Sequence, residues 1–232
     1  MHILAKIRNA ICGIVAFLAF VGTCPQGGAQ SFTPDAPFHV ENFNGLEMGV
    51  QVTTIGWQNS VGPEDDPAAI GGFPAGSGFP GTLVLTNTSS ARNNLTSPEL
   101  PLNFPESTVY YVSAYINKAG GNIAGARILL RYIDEESRQQ FVGGFGILDD
   151  SKDAFALHAG NGWKYSTIKA IRNHWYEVAL VVQMDKTDVS QSKGYLFIRD
   201  VTAEETSWRL VDDLAGIPMG YTDSHQFTRF NQ

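Results

Sequence analysis

A tryptophan beside a tight turn is the first feature of this sequence with recognisable binding chemistry. Gly160-Asn161-Gly162-Trp163 places an indole next to two glycines, and Tyr165 follows two residues later. A large amphipathic ring of this kind can stack on the apolar face of a sugar. Trp163, Asn161 and Tyr165 are therefore the predicted ligand-binding residues. The alternative interpretation is that Trp163 folds inward and caps the core.

An oxygen-rich turn is the second feature. Asp149, Asp150 and Asp153 lie together with Ser151 at the end of a predicted strand. Calcium is bound by carboxylate and other oxygen ligands, so these three aspartates are the predicted metal site. The alternative is an ordinary Asp-rich turn that holds no ion. No other cofactor is expected.

Catalytic signatures are missing from the sequence. Acidic clusters at 64–66, 134–136 and 204–205 lie in predicted turns and are interpreted as solvated surface. The chain has no Gly-x-Ser-x-Gly elbow and no His-Glu-x-x-His pair. Residues 76–81 match the dinucleotide fingerprint in letters, but Pro80 and the lack of a following helix remove its mechanism. The sequence therefore favours a binding protein over an enzyme and assigns no catalytic residue.

The first 29 residues are typical of an export signal. Lys6 and Arg8 precede an apolar run over residues 10–22, which is too short for a comfortable membrane span. Small residues follow at the two positions that a signal peptidase reads, which predicts cleavage after Ala29. The alternative is a lipoprotein acylated at Cys24. Either way the chain is expected to be secreted, periplasmic or at the cell surface, with no membrane span.

Composition limits the partners of the remaining chain. Removing residues 1–29 changes the formal net charge from −7 to −9 and removes both cysteines. An exported chain without cysteine is more typical of bacteria than of small animal domains that rely on disulfides. An acidic surface argues against nucleic acid and anionic membranes as partners. Residues 30–36 are predicted to be a linker, and residues 37–232 a single domain.

One strand organises this predicted domain. Over residues 174–185 one line of alternate residues is almost wholly apolar, and the other is mixed. The apolar line is His174, Tyr176, Val178, Leu180, Val182 and Met184. Such alternation predicts a strand with one face in a core and the other face partly covered.

Further strands are predicted on both sides of it. Within residues 108–116 both sets of alternate residues are apolar, so both faces of the predicted strand are apolar, which predicts a strand inside a sheet. Glycines within the predicted strand 140–148 indicate a bulge or a close approach to the backbone. Residues 57–81 hold four prolines and six glycines and are predicted to form a long irregular loop. The remaining predicted strands include residues 38–43, 47–55, 82–86, 126–133, 195–201, 208–211 and 225–230.

About a dozen short strands joined by turns, with no convincing amphipathic helix, predict an all-β sandwich or barrel. Several segments also match a known pattern: residues 146–149, Phe155-Ala-Leu-His158, Gly160-Asn-Gly-Trp163, and Trp175 followed by Val178-Ala179. Together with residues 38–45 and Trp57, they resemble the concanavalin A-like (laminin-G-like) jelly rolls of exported bacterial proteins. The resemblance covers most of residues 37–232.

The resemblance implies a two-sheet antiparallel jelly-roll sandwich. Its concave face or loop rim often binds glycans, sometimes with calcium, and some relatives are glycoside hydrolases or lyases. Hydrolases of this kind carry a Glu-x-Asp-x-x-Glu strand, which this sequence lacks. The expected function is therefore lectin-like binding of a glycan or cell-surface polysaccharide. A carbohydrate-active enzyme and a purely structural or adhesive domain remain the alternatives.

Overall fold

The computed structural model describes residues 4–7, 32, 47, 49–56, 58–61, 69–72, 83–86, 94–96, 109–118, 125–133, 139–148, 153–160 and 162–222. Within these residues the chain is built from strands and short 3₁₀ turns. The strands are β1 (Leu4–Ile7), β2 (Gln58–Val61), β3 (Ala69–Gly72), β4 (Leu83–Thr86), β5 (Asn94–Thr96), β6 (Val109–Lys118), β7 (Ala126–Ile133), β8 (Gln139–Leu148), β9 (Ala154–Ala159), β10 (Gly162–Lys169), β11 (Trp175–Gln183), β12 (Lys193–Asp200), β13 (Arg209–Leu210) and β14 (Ile217–Pro218). The 3₁₀ turns are Val52–Ile55, Val189–Gln191 and Asp212–Leu214.

Two sheets form the body of the protein. The larger has eight strands in the order β13-β12-β11-β6-β1-β4-β3, with β14 also paired to β12. The smaller has four strands in the order β10-β9-β8-β7, and all of its pairs are antiparallel. In the larger sheet β1 pairs in parallel with β4 and β6, and the other pairs are antiparallel. A separate two-stranded sheet joins β2 to β5. The predicted all-β fold with two sheets is confirmed, and the pairs within these sheets are antiparallel except those made by β1.

The core lies between the two larger sheets, where the apolar line of β11 faces the four-stranded sheet. Tyr176 of β11 meets Phe155 of β9 edge to face, with ring centroids 5.1 Å apart. Leu180, further along the same line, lies over Gly143 of β8 together with Met219. Burying one such side chain stabilises the fold by about 1.5–3 kcal/mol. The alternation in the sequence thus positions β11 against the smaller sheet, as expected.

Strand β6 lies inside the larger sheet, as the two apolar lines of residues 108–116 predicted. It pairs with β11 along its whole length on one side and with β1 on the other. Its residues 111–118 are all buried. Cleavage after Ala29 would remove β1, and β6 would then keep β11 as its one partner among the described strands.

The glycine-rich strand β8 contains the predicted bulge. The register with β7 shifts at Leu130, so that Val142 has no partner across the ladder. The buried hydroxyl of Tyr221 donates to the Val142 carbonyl at 2.5 Å, which satisfies an acceptor that the bulge frees. Close approach is also observed, since a Cβ on Gly144 would lie 2.6 Å from the Ile128 carbonyl oxygen. Both interpretations of these glycines are therefore correct.

Two predictions for the N-terminal third are wrong. Residues 47–55 do not form a strand, because Val52–Ile55 is a 3₁₀ turn. The Thr54 hydroxyl donates to the Gln51 carbonyl at 2.7 Å, a local hydrogen bond that competes with strand pairing. Residues 57–81 are not wholly irregular, since they contain β2 and β3. These short strands pair through backbone groups, which require no side-chain alternation.

Other predicted segments fall outside the described residues, namely the strands at 38–43 and 225–230. Helices are limited to 3₁₀ turns in the part of the chain that the structure describes, and none of them is long and apolar enough to cross a membrane.

Candidate functional site

Two aromatic side chains lie on one face of β10, an edge strand of the four-stranded sheet. Trp163 stands opposite His158 of β9, and Tyr165 stands opposite Ala156. Residues two apart on a strand are about 6.8 Å apart and point the same way. Gly162 has a φ of +103°, a left-handed conformation that favours glycine and brings the chain into β10 just before Trp163. The rings of Trp163 and Tyr165 therefore project from the same side of β10.

The indole of Trp163 is held by a histidine. The ring of His158 meets it edge to face, with centroids 5.0 Å apart and planes at 86°. Trp163 is half-buried, whereas Tyr165 is 38% exposed. Of the residues that the structure describes, Tyr165 and Ile171 are the large apolar side chains classed as exposed. β10 therefore offers one oriented ring and one accessible ring.

Both rings stand on the outer face, which we define as the side of the four-stranded sheet that points away from the larger sheet. Leu157 of β9 points the other way, because it lies over Gly194 of the larger sheet. Two cross-strand rows make up the outer face. One row is Leu129, Gly144, His158 and Trp163; the other is Arg127, Gly146, Ala156 and Tyr165.

Small residues form the middle of each row. Gly144, Gly146 and Ala156 are buried, whereas Arg127 and Leu129 at the β7 end are half-buried. A Cβ on Gly146 would collide with the Ala126 carbonyl oxygen, so this position cannot carry a side chain without a backbone shift. The accessible parts of the outer face are therefore its two edges, β10 and β7.

Positive charge surrounds the histidine of this face. Burial lowers the pKa of His158 below its ordinary value, and the charges of Arg127 and Arg131 lower it further. Arg131 alternates with Arg127 and Leu129 along β7, so it belongs to the same face. His158 is consequently neutral at neutral pH, while the face around it keeps two guanidinium groups.

Strand β10 is fixed along its free edge by one carboxylate. Asp213 accepts hydrogen bonds from the Ser166 hydroxyl at 2.6 Å, the Thr167 amide at 2.7 Å and the Thr167 hydroxyl at 2.8 Å. Burial by itself raises the pKa of Asp213, but these donors outweigh burial and leave the pKa below its usual value. An edge amide that is already bonded is unavailable to another strand. Asp213 therefore holds the aromatic edge in place and blocks strand addition there.

The predicted metal ligands are only partly described. Asp149 and Asp150 lie outside the described residues, as does Asn161 of the predicted binding turn. Asp153 is buried, and its two carboxylate oxygens are bonded to the Lys118 ammonium and, at 2.8 Å, to Arg172 Nε. Within the described ranges no group of three or more His, Cys, Asp or Glu could hold a metal ion. The calcium site remains a prediction, and Asp153 serves here as an ion-pair partner.

This buried ion pair gives a prediction for stability in acid. Burial alone raises the pKa of Asp153, but the hydrogen bonds from Lys118 and Arg172 outweigh it, so the folded-state pKa lies below its usual value. The pair therefore stabilises the fold above the ordinary Asp pKa of about 3.9, and this stability is lost as the pH falls through the folded-state pKa. Asp153→Asn should lower the free energy of unfolding by about 1–2 kcal/mol at pH 7.

Thermal melts from pH 6 down to pH 2.5 would measure this effect. The acid loss of stability should be shallower in Asp153→Asn than in the parent protein. Asp212→Asn, which removes an exposed carboxylate, is the matched control and should keep the parental slope. Equal acid slopes in all three proteins would contradict the assigned role of Asp153.

A buried polar cluster occupies the opposite side of the molecule, on the face of the larger sheet that points away from the core. Glu177 of β11 is 6% exposed and forms an ion pair with Arg199 of β12, directly across the ladder. Tyr115 hydrogen-bonds to the same carboxylate, and the Ser113 hydroxyl donates to it at 3.5 Å. Burial raises the pKa of Glu177, although Arg199 opposes the shift. We call these four residues the Glu177 cluster.

Aromatic rings lie next to the Glu177 cluster. Trp208 lies over the Arg199 guanidinium, 5.4 Å from its centre, and Phe32 lies 5.3 Å from Trp208. Phe32 also contacts Phe197 at 4.9 Å and Tyr111 at 5.2 Å. The Nε atom of Arg199 is buried without a hydrogen-bond partner. Phe32 falls within the segment predicted as a linker, so part of that segment packs on the sheet.

The remaining described histidine supports the end of the sandwich. His174 Nδ1 lies 2.8 Å from the Asp200 carboxylate, and its ring stacks on Tyr176. The Tyr176 hydroxyl in turn accepts the Ile171 amide at 3.0 Å. Burial raises the pKa of Tyr176 to about 12, so its hydroxyl stays protonated. These contacts fix the start of β11 and give His174 a structural role.

Sequence reasoning missed both the Glu177 cluster and the partners of Trp163. The mixed line of residues 174–185 contained Glu177, but its cation lies 22 positions later on β12. His158 and Trp163 were each singled out, and only the antiparallel register of β9 and β10 brings them together. The signal that could have revealed it is the short turn between the two strands, which fixes their pairing.

Comparisons with protein-family models, with curated proteins and with solved structures find no match for this chain.

Proposed function

We propose that this chain is an exported glycan-binding module on a concanavalin A-like jelly-roll sandwich, and that Trp163 and Tyr165 of β10 contact the sugar. The two mainly antiparallel sheets with a shared core support this architecture. The signal-like segment 1–29 supports export. Stacking on a sugar requires only oriented aromatic surface, and the rings of Trp163 and Tyr165 supply it.

The observation that carries the proposal is the pair of aromatic rings on one face of an edge strand. Trp163 points to the outer face and not into the core between the sheets, which favours a platform over a core cap. His158 orients the indole before any ligand arrives, which lowers the entropy lost on binding. Asp213 fixes the strand that carries both rings.

A ligand on this edge would be held by a shallow contact. The middle of the outer face is buried, so the contact is limited to the rings and their neighbours at the edges. Small contacts of this kind give weak affinity for one sugar unit, and the repeated units of an immobilised polymer raise the local concentration of sugar, so that a dissociated protein rebinds. Polysaccharides are therefore better probes than monosaccharides.

Trp163→Ala is expected to abolish polysaccharide retention while leaving the melting temperature nearly unchanged. The half-buried ring contributes contact surface to the ligand and little to the core between the sheets. The measurement passes the purified protein and its variants over a panel of immobilised polysaccharides. Thermal melts of the same samples show whether each variant is folded.

Matched variants separate a binding role from a general loss of structure. Tyr165→Ala should weaken retention, whereas Tyr195→Ala, a half-buried tyrosine of the larger sheet, should not. A melting temperature lowered by several degrees in Trp163→Ala would show that the indole supports the fold. Retention that survives both β10 substitutions would place the site elsewhere.

A carbohydrate-active enzyme is the second candidate, and Glu177 is the residue that favours it. A buried carboxyl with a raised pKa is suited to donate a proton near neutral pH. Glycoside hydrolases nevertheless use two carboxylates about 5–10 Å apart. In the described strands of the larger sheet, Glu177 is the one carboxylate on its face.

The polysaccharide panel also distinguishes the candidate functions when released sugars are assayed beside retention. Release of sugars that Glu177→Gln abolishes would establish the enzyme. Retention without release supports the binding module. If neither retention nor release is observed, a structural or adhesive domain remains as the candidate function.

A further inference from the structure

We propose that the glycan bound at Trp163 and Tyr165 is an unbranched polymer that lies along β10, and that the site takes two neighbouring units from the interior of its chain. This inference rests on the proposed function and specifies the ligand class of the same site. The geometry that carries it is the arrangement of the two rings in line along an edge strand, beside a sheet face whose middle is covered.

The two rings are spaced along the strand and not across the sheet. Trp163 and Tyr165 are two positions apart on β10 and project from one side of it, so their Cα atoms are about 6.8 Å apart. An aromatic ring stacks on the flat apolar face of one sugar unit. Two linked units in an extended chain can therefore cover both rings, whereas a monosaccharide covers one.

A chain that crossed the sheet would find no partner in the middle of the outer face. Gly144, Gly146 and Ala156 occupy that middle, and all three are buried. The ligand can therefore contact this face only at an edge, and the rings place it at the β10 edge. The axis of the polymer is consequently parallel to β10.

The number of bound units is limited by where the rings stop. Residues 160–162, on one side of the two rings, carry no ring. On the other side, the pairing of β10 with β9 shifts register after Tyr165, and Ser166 is buried. The next exposed side chain, Thr167, is short and donates its hydroxyl to Asp213. The stacking surface of β10 is therefore two units long.

Neither end of this stacking surface is closed by the residues that the structure describes. A Cβ added to Gly162 would meet no atom within 4 Å, and Thr167 at the other end is exposed. A site that recognises the end of a chain needs a pocket around the terminal unit. An open edge instead lets the polymer continue past both rings, so the terminal groups of the chain take no part in binding.

The test first compares retention of the purified protein on three unbranched polymers, namely amorphous cellulose, linear mannan and amylose, and on densely branched gum arabic. We expect retention on at least one unbranched polymer. The protein is then titrated in solution with oligosaccharides of that polymer, from the monosaccharide upwards. The dissociation constant should fall at least about fivefold from the monosaccharide to the disaccharide, because the second unit covers the second ring. Longer oligosaccharides should bind more tightly only in proportion to the number of two-unit stretches that they contain.

Two controls test the position and the direction of the bound chain. Tyr165→Ala should remove the advantage of the disaccharide over the monosaccharide, whereas Tyr195→Ala, a half-buried tyrosine of the larger sheet, should keep it. An oligosaccharide whose two terminal units are chemically blocked should bind as tightly as the unblocked one.

The outcomes separate this inference from the proposed function. A monosaccharide that binds as tightly as the disaccharide, or binding that is lost when the chain ends are blocked, would overturn the inference. A steep gain with every unit beyond the second would overturn it as well, since the platform would then be longer than the two rings. Retention on gum arabic alone, lost in Trp163→Ala, would overturn the unbranched ligand and leave the proposed function intact. Retention on none of the four polymers would remove both.

Discussion

Trp175→Ala is expected to lower the free energy of unfolding by about 3–5 kcal/mol, a large part of a typical total of 5–15 kcal/mol. Trp175 begins β11 and is 1% exposed, so truncation leaves a cavity that the surrounding residues cannot fill. Its amide donates to the Thr202 hydroxyl at 2.8 Å, and its carbonyl accepts the Val201 amide at 2.8 Å. The backbone is thus fixed and cannot collapse into the space.

Chemical denaturation monitored by circular dichroism would measure this loss. Trp163→Ala is the matched control, because it removes the same ring from a half-buried position on the outer face. We expect the two variants to differ by at least about 2 kcal/mol in unfolding free energy. Equal and small losses in both variants would show that Trp175 is not a core residue.

Arg199→Met is expected to cost about 3 kcal/mol, because it leaves the buried carboxylate of Glu177 without its cation. Burial already raises the pKa of Glu177, and loss of Arg199 should raise it further. When the pKa of a carboxyl is higher in the folded state than in the unfolded state, the protein loses stability as the pH rises between the two pKa values and regains it as the pH falls. The deficit of Arg199→Met should therefore shrink as the pH falls from neutral towards about 4 and stay at its smallest below that, where Glu177 is protonated in both states.

A double-mutant cycle with Glu177→Gln tests the pairing itself. The double variant should lose less stability than the sum of the two single variants, by about 1–3 kcal/mol of coupling. Additive losses, or a deficit of Arg199→Met that stays constant from pH 7 to pH 3.5, would mean that the two groups do not stabilise each other.

The sequence predicts those strands well whose side chains divide between a buried and a covered face. The apolar line of residues 174–185 correctly predicted β11, and the two apolar lines of residues 108–116 correctly predicted the interior strand β6. The glycines of β8 correctly indicated a bulge. In each case burial imposes a pattern on neighbouring residues, and a pattern within one segment can be recognised without knowing its partner.

Features that depend on backbone hydrogen bonds or on distant partners could not be predicted. The strands β2 and β3 lie in a proline- and glycine-rich region and have no apolar alternation. The 3₁₀ turn Val52–Ile55 depends on a local hydrogen bond of Thr54. The ion pair of Glu177 with Arg199 depends on the register between β11 and β12.

The residues of the candidate site were likewise only partly predictable from the sequence. The sequence singled out Trp163 and Tyr165 by their position after a tight turn, and both lie on one accessible edge strand. It gave no indication that Arg127 and Arg131 share their surface. Those arginines lie on the opposite edge strand, and two intervening strands determine how far they lie from the rings.

Chemical-shift mapping by NMR tests the central claim most directly. A ¹⁵N-labelled sample is titrated with oligosaccharides of whichever polymer the panel shows to be retained. Binding at the aromatic edge predicts the largest amide shifts in β10, around Gly162 and Lys164, and at His158 of β9. Shifts confined to β11 and β12, around Glu177 and Arg199, with β10 unchanged, would contradict the assignment of the site.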